Sequence, residues 1–203
     1  MSHVLTADGG TESLRVRIYD LDGRCVASHA EPYETKFMAG ARAEQNAEDW
    51  WSSLVTATQI CLKEANISGD AIDAMAYATT CCTVVALDKN GAPLRPALMW
   101  MDVRADKEAE AVLETGDQRL ILNGNGQGPV SAEWMIPKAL WLKRNEPKIF
   151  DDAVTICEYQ DYLTMRLTGE RCASLNNIGL RWHYANRDGG WASGIVEKLA
   201  MPD

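Results

Sequence analysis

The pattern of hydrophobic and polar positions opens with short extended runs that alternate with tight turns. Residues 4–8, 14–19 and 25–29 form the runs, and the turns contain Gly9-Gly10 and Asp22-Gly23. Short runs of this kind, bounded by glycine and aspartate, are typical of neighbouring strands joined by hairpins. The pattern therefore predicts a three-stranded meander.

A helical period replaces the strand pattern after residue 45. Apolar side chains between Trp50 and Ala65 recur on one face, Asn46 stands at the N-cap position, and two acids occupy the first turn. Because such a cap satisfies free amide groups at a helix start, the spacing predicts a helix that ends near Asn66.

Further strands and helices alternate along the rest of the chain. The predicted strands cover residues 72–79, 84–88 and 153–157. The predicted helices cover 104–114, 131–145 with an interruption or restart at Pro137, 158–167 closed by Gly169, and 191–200. A meander followed by a crossover helix and more strands indicates an α/β fold with a sheet flanked by helices.

Composition and charge narrow the class of protein. The net charge of −9 is spread over 203 residues without a run of five like charges, which argues against non-specific nucleic-acid binding. The start of the chain meets Asp8 before an apolar segment develops, so no secretory signal is predicted. The most apolar stretch, 71–87, is too short and too polar to span a bilayer. We expect a cytoplasmic protein with no nucleic-acid or membrane partner.

The cysteine pattern favours reduced thiols. The six positions are Cys25, Cys61, Cys81, Cys82, Cys157 and Cys172. No two have the C-x-x-C spacing of a metal or redox motif, and the chain has only three histidines. We expect core positions for Cys25, Cys61 and Cys157, since each lies in an apolar segment.

Two glycine-containing segments could approach phosphate groups. At Asp8 to Ser13, the glycines let the backbone come close to a ligand, while Gly10, Thr11 and Ser13 offer amides or hydroxyls. Asp8 can hold a magnesium ion through water. A simple hairpin turn without a ligand is the alternative. The second segment, 123–129, follows no clear strand and opens no helix, so no dinucleotide site is expected there.

Aromatic and charged side chains also stand together in two places: Trp100 with Asp102 and Arg104, and Glu133 with Trp134. Sugar sites combine aromatic faces with fixed carboxylates or guanidinium groups. Tryptophan is more often a packing residue, so a core role is the alternative.

Ordered blocks of sequence carry a family resemblance. They are Asp8-Gly9-Gly10-Thr11-Glu12-Ser13-Leu14-Arg15; Glu44-Gln45 followed by Trp50-Trp51; Pro93-Leu94-Arg95-Pro96 followed by Trp100, Asp102 and Arg104; and Pro137-Lys138-Ala139-Leu140-Trp141-Leu142 followed by Asp161-Tyr162-Leu163 and Leu167-Thr168-Gly169-Glu170. Over nearly the whole chain they resemble the FGGY carbohydrate kinases. The stretch 79–83 and the Ser131-Ala132-Glu133-Trp134 motif look most like ribulokinases, whereas xylulokinases place a Met-His pair at Cys81-Cys82.

The resemblance implies an actin-like, ribonuclease-H-like ATPase-superfamily domain with a mixed sheet flanked by helices. Residues 1–203 would be the N-terminal, sugar-binding lobe, incomplete and without the nucleotide lobe. The implied phosphate and magnesium residues are Asp8, Gly10, Thr11 and Ser13. The implied sugar-contacting residues are Cys81, Cys82, Trp100, Asp102, Arg104, Glu133 and Trp134. A catalytic aspartate is expected beyond residue 203, and the implied cofactors are ATP and Mg²⁺.

The function implied for the complete protein is ATP-dependent phosphorylation of a terminal hydroxyl of a small-molecule sugar, a ketopentose such as ribulose or xylulose. The 203 residues alone are expected to be inactive, and a homodimer is left open. A non-catalytic sugar-binding or regulatory fragment is one alternative. Another actin-like ATPase is a second, which the Glu133-Trp134 and Trp100 to Arg104 segments disfavour.

Overall fold

The computed structural model describes residues 2–123, 130–186 and 189–202. These residues divide into two compact units, Met1–Thr35 with Gln45–Thr80, and Lys36–Glu44 with Cys81–Asp203. The strands, in chain order, are β1 His3–Gly9, β2 Ser13–Asp20, β3 Cys25–Pro32, β4 Lys36–Met38, β5 Arg42–Gln45, β6 Ile72–Thr79, β7 Val84–Leu87, β8 Ala97–Leu98 and β9 Thr155–Glu158. The helices are α1 Ala47–Ala65, α2 Asp106–Glu114, α3 Met135–Asn145, α4 Pro147–Asp152, α5 Tyr159–Thr168, α6 Leu175–Arg181 and α7 Ser193–Lys198, with 3₁₀ turns at Gly69–Ala71 and Gln118–Asn123.

The first unit is a mixed four-stranded sheet with the order β3-β2-β1-β6. Strands β1, β2 and β3 pair antiparallel, while β6 joins β1 in parallel. Helix α1 packs against β2 and β3. Burial alternates along β1 and β2 because every second side chain faces the helix-covered side of the sheet. The predicted meander is therefore confirmed.

Helix α1 begins and ends where its capping residues predict. The side chain of Asn46 accepts a hydrogen bond from the Glu48 amide at 3.3 Å, and Asn66 closes the helix in the left-handed conformation, with φ 56°. The buried face of the helix includes Trp50 and Cys61. The amphipathic pattern thus identified both the helix and its inner face.

The second unit contains a five-stranded sheet with the order β4-β5-β8-β7-β9. Strand β7 pairs antiparallel with β8 and β9, and each of its four residues is buried. Helix α3 contributes Met135, Trp141 and Leu142 to the same apolar cluster as Val84 and Leu98. The short strands β4, β5 and β8 and the helices α4 and α6 were not predicted, because each is too short to display a period.

Three sequence-based expectations need correction. Pro137 does not interrupt a helix, because α3 begins at Met135 and places the proline in the first turn, where amide groups need no helical partner. The final helix is shorter than predicted, Ser193–Lys198. Cys25 is exposed instead of buried, because it begins β3, an edge strand, whereas Cys61 and Cys157 are buried as expected.

No helix in the described part of the chain is long and apolar enough to cross a membrane. Among the same residues, no group of three or more His, Cys, Asp or Glu side chains is arranged to hold a metal ion.

Candidate functional site

The phosphate-side candidates lie around the turn that joins β1 to β2, in the first unit. Asp8 is near the end of β1 and its side chain is exposed, while Gly9 is buried. The amide of Gly10 donates to the Ser13 carbonyl at 3.0 Å, which closes the turn. A Cβ atom at position 10 would lie 3.3 Å from that carbonyl oxygen, so a larger residue would press on the turn. The structure thus leaves the Asp8 carboxylate open beside a tightly folded backbone.

Polar side chains form hydrogen bonds to the backbone carbonyls of this turn. The Tyr33 hydroxyl donates to the Gly10 carbonyl at 2.5 Å. The carbonyl of Thr11 accepts from Gln45 Nε2 at 2.6 Å and from the Thr35 hydroxyl at 3.3 Å. Gln45 in turn accepts a 2.8 Å hydrogen bond from the Trp50 indole. Sequence reasoning placed Gln45 only in a family motif; the structure shows that it connects the turn to α1.

In the second unit, one buried lysine connects the sugar-side candidates. Lys138 lies in α3, one helical turn after Trp134, and its side chain is fully buried. Its Nζ donates to the carbonyls of Cys82 at 2.8 Å, Met99 at 2.5 Å and Trp100 at 3.4 Å. An ammonium group has three protons to donate, so each carbonyl can be satisfied. Lys138 therefore holds two separate candidate segments together.

Glu158 binds the backbone amide of Cys82, the residue whose carbonyl accepts from Lys138. Its Oε2 accepts a hydrogen bond from the Cys82 amide at 2.8 Å, across 76 residues of sequence. Cys82 has φ 66°, a left-handed conformation that non-glycine residues rarely adopt without support. We call the arrangement of Lys138, Cys82 and Glu158 the Cys82 clamp. It supplies that support with one buried cation and one buried carboxyl group.

Burial shifts the pKa values of the two ionisable groups in the clamp in opposite directions. Burial lowers the pKa of Lys138 to about 8, opposed by the neighbouring Cys82, Asp102, Glu133 and Glu158. Burial also raises the pKa of Glu158 to about 7, opposed first by the Cys82 amide. Both groups therefore titrate closer to neutrality than they would in water.

Asp102 and Arg104 form a second polar network. Asp102 is fully buried, accepts from the Ala43 amide at 2.8 Å, and pairs with the Arg104 guanidinium group at 2.7 Å. Arg104 also pairs with Glu44 at 2.9 Å and lies 4.9 Å from the Trp141 ring centre. Burial acts to raise the pKa of Asp102, yet these hydrogen bonds outweigh it and hold that pKa below its usual range.

This geometry gives Asp102 and Arg104 a positioning role. Their side chains join the segment that contains Ala43 and Glu44 to the loop that follows Trp100. Their contact with a sugar stays a prediction, whereas their contact with each other is seen in the structure.

The remaining sugar-side candidates differ in the solvent exposure of their side chains. Trp100 is 37% exposed, and Cys81 and Glu133 are half-buried. Trp134 is half-buried, packs edge-on against His183 at 5.6 Å, and lies under Arg181 at 5.1 Å. Part of its surface is thus committed to packing, as the core alternative expected.

A cavity of about 240 Å³ in the second unit has a lining that includes Ile156, Met165, Ile178, Trp182 and Trp191. None of the candidate sugar residues lines it. The cavity also touches Asp161, whose oxygens accept from the amides of Glu158 at 3.1 Å and Ser174 at 3.0 Å.

Sequence reasoning missed the functions of Lys138 and Glu158. Lys138 stands in an otherwise apolar helix stretch, and a lysine at such a position is a signal for a buried, paired cation. Glu158 gave no local signal. The glycine-containing segment predicted at 123–129 lies outside the described residues from position 124 onward.

Comparisons with solved structures identify the fold. The chain superposes on ligand-bound xylulose kinase from Lactobacillus acidophilus with a TM-score of 0.87 at 20% identity, covering 100% of this chain and 41% of that one. It also superposes on Plasmodium falciparum glycerol kinase with ADP, with a TM-score of 0.80 at 21% identity, covering 98% and 41%. The fold is therefore the actin-like fold of the sugar kinases, as expected.

The sequence comparison identifies the family. The N-terminal domain of the FGGY family of carbohydrate kinases matches residues 3–203. Xylulose kinase of Streptomyces coelicolor is 31% identical over 194 residues, which cover 94% of this chain and 37% of the relative. The chain belongs to the FGGY family of carbohydrate kinases. It spans 33–34% of the length of the first two curated relatives it matches.

Proposed function

We propose that the complete protein transfers the γ-phosphoryl group of ATP to a terminal hydroxyl of a ketopentose such as xylulose or ribulose. The observation that carries the proposal is the family match over residues 3–203. Xylulose kinases among the relatives support a pentulose as substrate, and the ADP of the similar glycerol kinase supports an adenine nucleotide. The preference for a ribulokinase-type member stays a prediction.

On the phosphate side, we assign Asp8, Gly10, Thr11 and Ser13. Magnesium prefers oxygen ligands and keeps several waters, so the exposed Asp8 carboxylate fits a water-mediated contact. When bound, the ion would neutralise charge on the transferred phosphoryl group. Gly10 has no side chain to keep phosphates away from the backbone, and a Cβ atom there would also press on the Ser13 carbonyl.

On the sugar side, we assign Cys81, Cys82, Trp100, Glu133 and Trp134. The exposed part of Trp100 offers an apolar face to sugar C–H groups, and the Glu133 carboxylate can accept from hydroxyls. Lys138 fixes the backbone on which three of these residues stand, since it bonds to the carbonyls of Cys82 and Trp100 and follows Trp134 in α3. Correct positioning matters because phosphoryl transfer depends mainly on alignment and electrostatics.

A coupled assay for ADP release, run on the complete protein with pentuloses, hexuloses and polyols, tests this function. Asp8→Asn should lower sugar-dependent turnover at least about 100-fold while sugar affinity is unchanged, since the lost charge acts mainly in the transition state. Trp134→Ala should weaken sugar binding by about 1–3 kcal/mol. A fall in melting temperature with unchanged affinity would instead assign Trp134 to packing.

The 203-residue chain, assayed beside the complete protein, is expected to give no sugar-dependent ADP release. Turnover by the short chain would contradict the assignment of the catalytic base to a position beyond residue 203. Sugar binding without turnover by the complete protein would favour the alternative of a non-catalytic sugar-binding or regulatory protein. Cytoplasmic location and a homodimer stay predictions.

A further inference from the structure

Two thiol groups meet at the sugar-side segment. Cys81 and Cys82 are neighbours in sequence, and their Sγ atoms lie 3.8 Å apart. Adjacent side chains on an extended backbone point to opposite faces, which keeps their ends apart. The left-handed conformation of Cys82, with φ 66°, breaks this alternation. The convergence of the two sulfur atoms is therefore a property of this irregular backbone.

The backbone that brings the thiols together is fixed on both sides. Lys138 holds the Cys82 carbonyl at 2.8 Å, and Glu158 holds its amide at 2.8 Å. Cys82 is buried in the apolar cluster with Val84 and Met135, and the half-buried Cys81 packs against that cluster. The pair is thus preorganised, with Cys81 half-buried and Cys82 buried.

A disulfide is a poor product for this pair. Adjacent Cα atoms are about 3.8 Å apart across a trans peptide, below the usual minimum of about 4.4 Å for a disulfide. A strained disulfide is easily reduced, so the pair is expected to remain a dithiol under reducing conditions. Binding of a metal cation is also disfavoured: burial raises the pKa of Cys82 to about 12, and a cation requires thiolates.

A trivalent arsenical with an As=O group avoids both problems. It condenses with two neutral thiols, so that two As–S bonds form and the As=O bond breaks. The two thiol protons leave with the oxygen as one molecule of water. Arsenic remains trivalent and both sulfur atoms keep their oxidation state, so no oxidant or reductant is needed.

We propose that Cys81 and Cys82 form a two-thiol binding site for trivalent organoarsenicals. The site depends on the Sγ–Sγ distance and on the Cys82 clamp, and it does not depend on the kinase function. Its position does bear on that function: if Cys81 and Cys82 contact the sugar as proposed, a bound arsenical and a sugar exclude each other.

Phenylarsine oxide is the probe, and the mass of the complete protein is the measurement. A two-thiol adduct adds the mass of the probe minus one water, and peptide mapping should place it on residues 81 and 82. Cys81→Ser and Cys82→Ser should each lose this adduct. The apparent affinity of each variant for the probe should be at least about 100-fold weaker, because the second As–S bond of the wild-type adduct forms within one molecule. Cys25→Ser and Cys172→Ser are matched controls, since both remove exposed thiols, and they should retain it.

Several outcomes decide the proposal. A dithiol should reverse the adduct at concentrations where a monothiol does not. An adduct that persists in Cys81→Ser would overturn the proposal, and so would an adduct that maps to another cysteine pair. Cys81 is only half-buried, so its serine variant should keep the wild-type melting temperature even if the Cys82 variant unfolds.

Protection by a pentulose tests the sugar contact separately. An adduct on residues 81 and 82 that forms without such protection supports the arsenical site and contradicts only the sugar assignment of these residues.

Discussion

The turn between β1 and β2 and the backbone in the Cys82 clamp are stabilised by different kinds of interaction. Each holds an irregular piece of backbone beside a proposed ligand site. The turn is held by neutral groups, chiefly the hydroxyl of Tyr33 and the amide of Gln45. The clamp uses a buried ammonium and a buried carboxyl group.

This difference has energetic consequences. A neutral hydrogen bond contributes about 1 kcal/mol to stability, whereas a hydrogen bond to a charged group contributes about 1.5–3 kcal/mol. The loss of one neutral hydrogen bond in the turn should therefore lower the free energy of unfolding only slightly. The clamp should respond strongly to substitution and to pH, because its charged groups have no access to water when a partner is removed.

The largest effect is expected from Lys138→Met. The substitution leaves three carbonyls without their donor, among them those of Cys82 and Met99, while relief of the buried charge offsets part of the cost. We expect a loss of about 3 kcal/mol in the free energy of unfolding. Urea titration measures it. Lys148→Met is the control, because Lys148 is 85% exposed and pairs only at the surface with Asp152, so its loss should leave the free energy of unfolding nearly unchanged.

The second effect concerns pH and Glu158→Gln. The folded-state pKa of Glu158 is raised to about 7 from an ordinary value of 4.5, so the folded protein holds a proton that the unfolded chain has already lost. The contribution of Glu158 to stability therefore falls as pH rises from 4.5 to about 7, and it does not change further above that range. Glutamine cannot titrate and should remove this dependence, which amounts to about 3 kcal/mol for a pKa raised from 4.5 to about 7. Parallel profiles for the two proteins would contradict the raised pKa.

The third effect concerns the turn between β1 and β2, which is held by neutral hydrogen bonds. Gln45→Ala removes the acceptor of the Trp50 indole and a donor to the Thr11 carbonyl. Because these partners are neutral, we expect a loss of about 1–2 kcal/mol that does not change between pH 5 and pH 8. A loss that varies strongly over this range would show that the turn depends on charge as well.

The contrast also explains what the sequence could predict. Helix α1 was predicted from its cap and its apolar face, which are local signals. The Asp8 to Ser13 turn was found for the same reason. The clamp joins Cys82 to partners 56 and 76 residues away, and no local pattern encodes that pairing. Asp102 was selected for a sugar contact from its motif, but only the structure shows that it pairs with Arg104 and the Ala43 amide.

The smallest effect is expected from Tyr33→Phe. This change removes a single hydroxyl, which donates to the Gly10 carbonyl at 2.5 Å, and leaves the ring in place. The cost in the free energy of unfolding should be about 1 kcal/mol. Tyr19→Phe is the matched control, because Tyr19 lies in β2, the strand that follows the turn, and no hydroxyl partner is seen for it among the described residues. If both variants lose the same stability, the Tyr33 hydroxyl does not support the turn, and Gln45 and Thr35 alone must hold it. If Tyr33→Phe also lowers turnover of the complete protein at unchanged sugar affinity, the turn's geometry matters to phosphate transfer, because Gly10 is placed by that hydrogen bond.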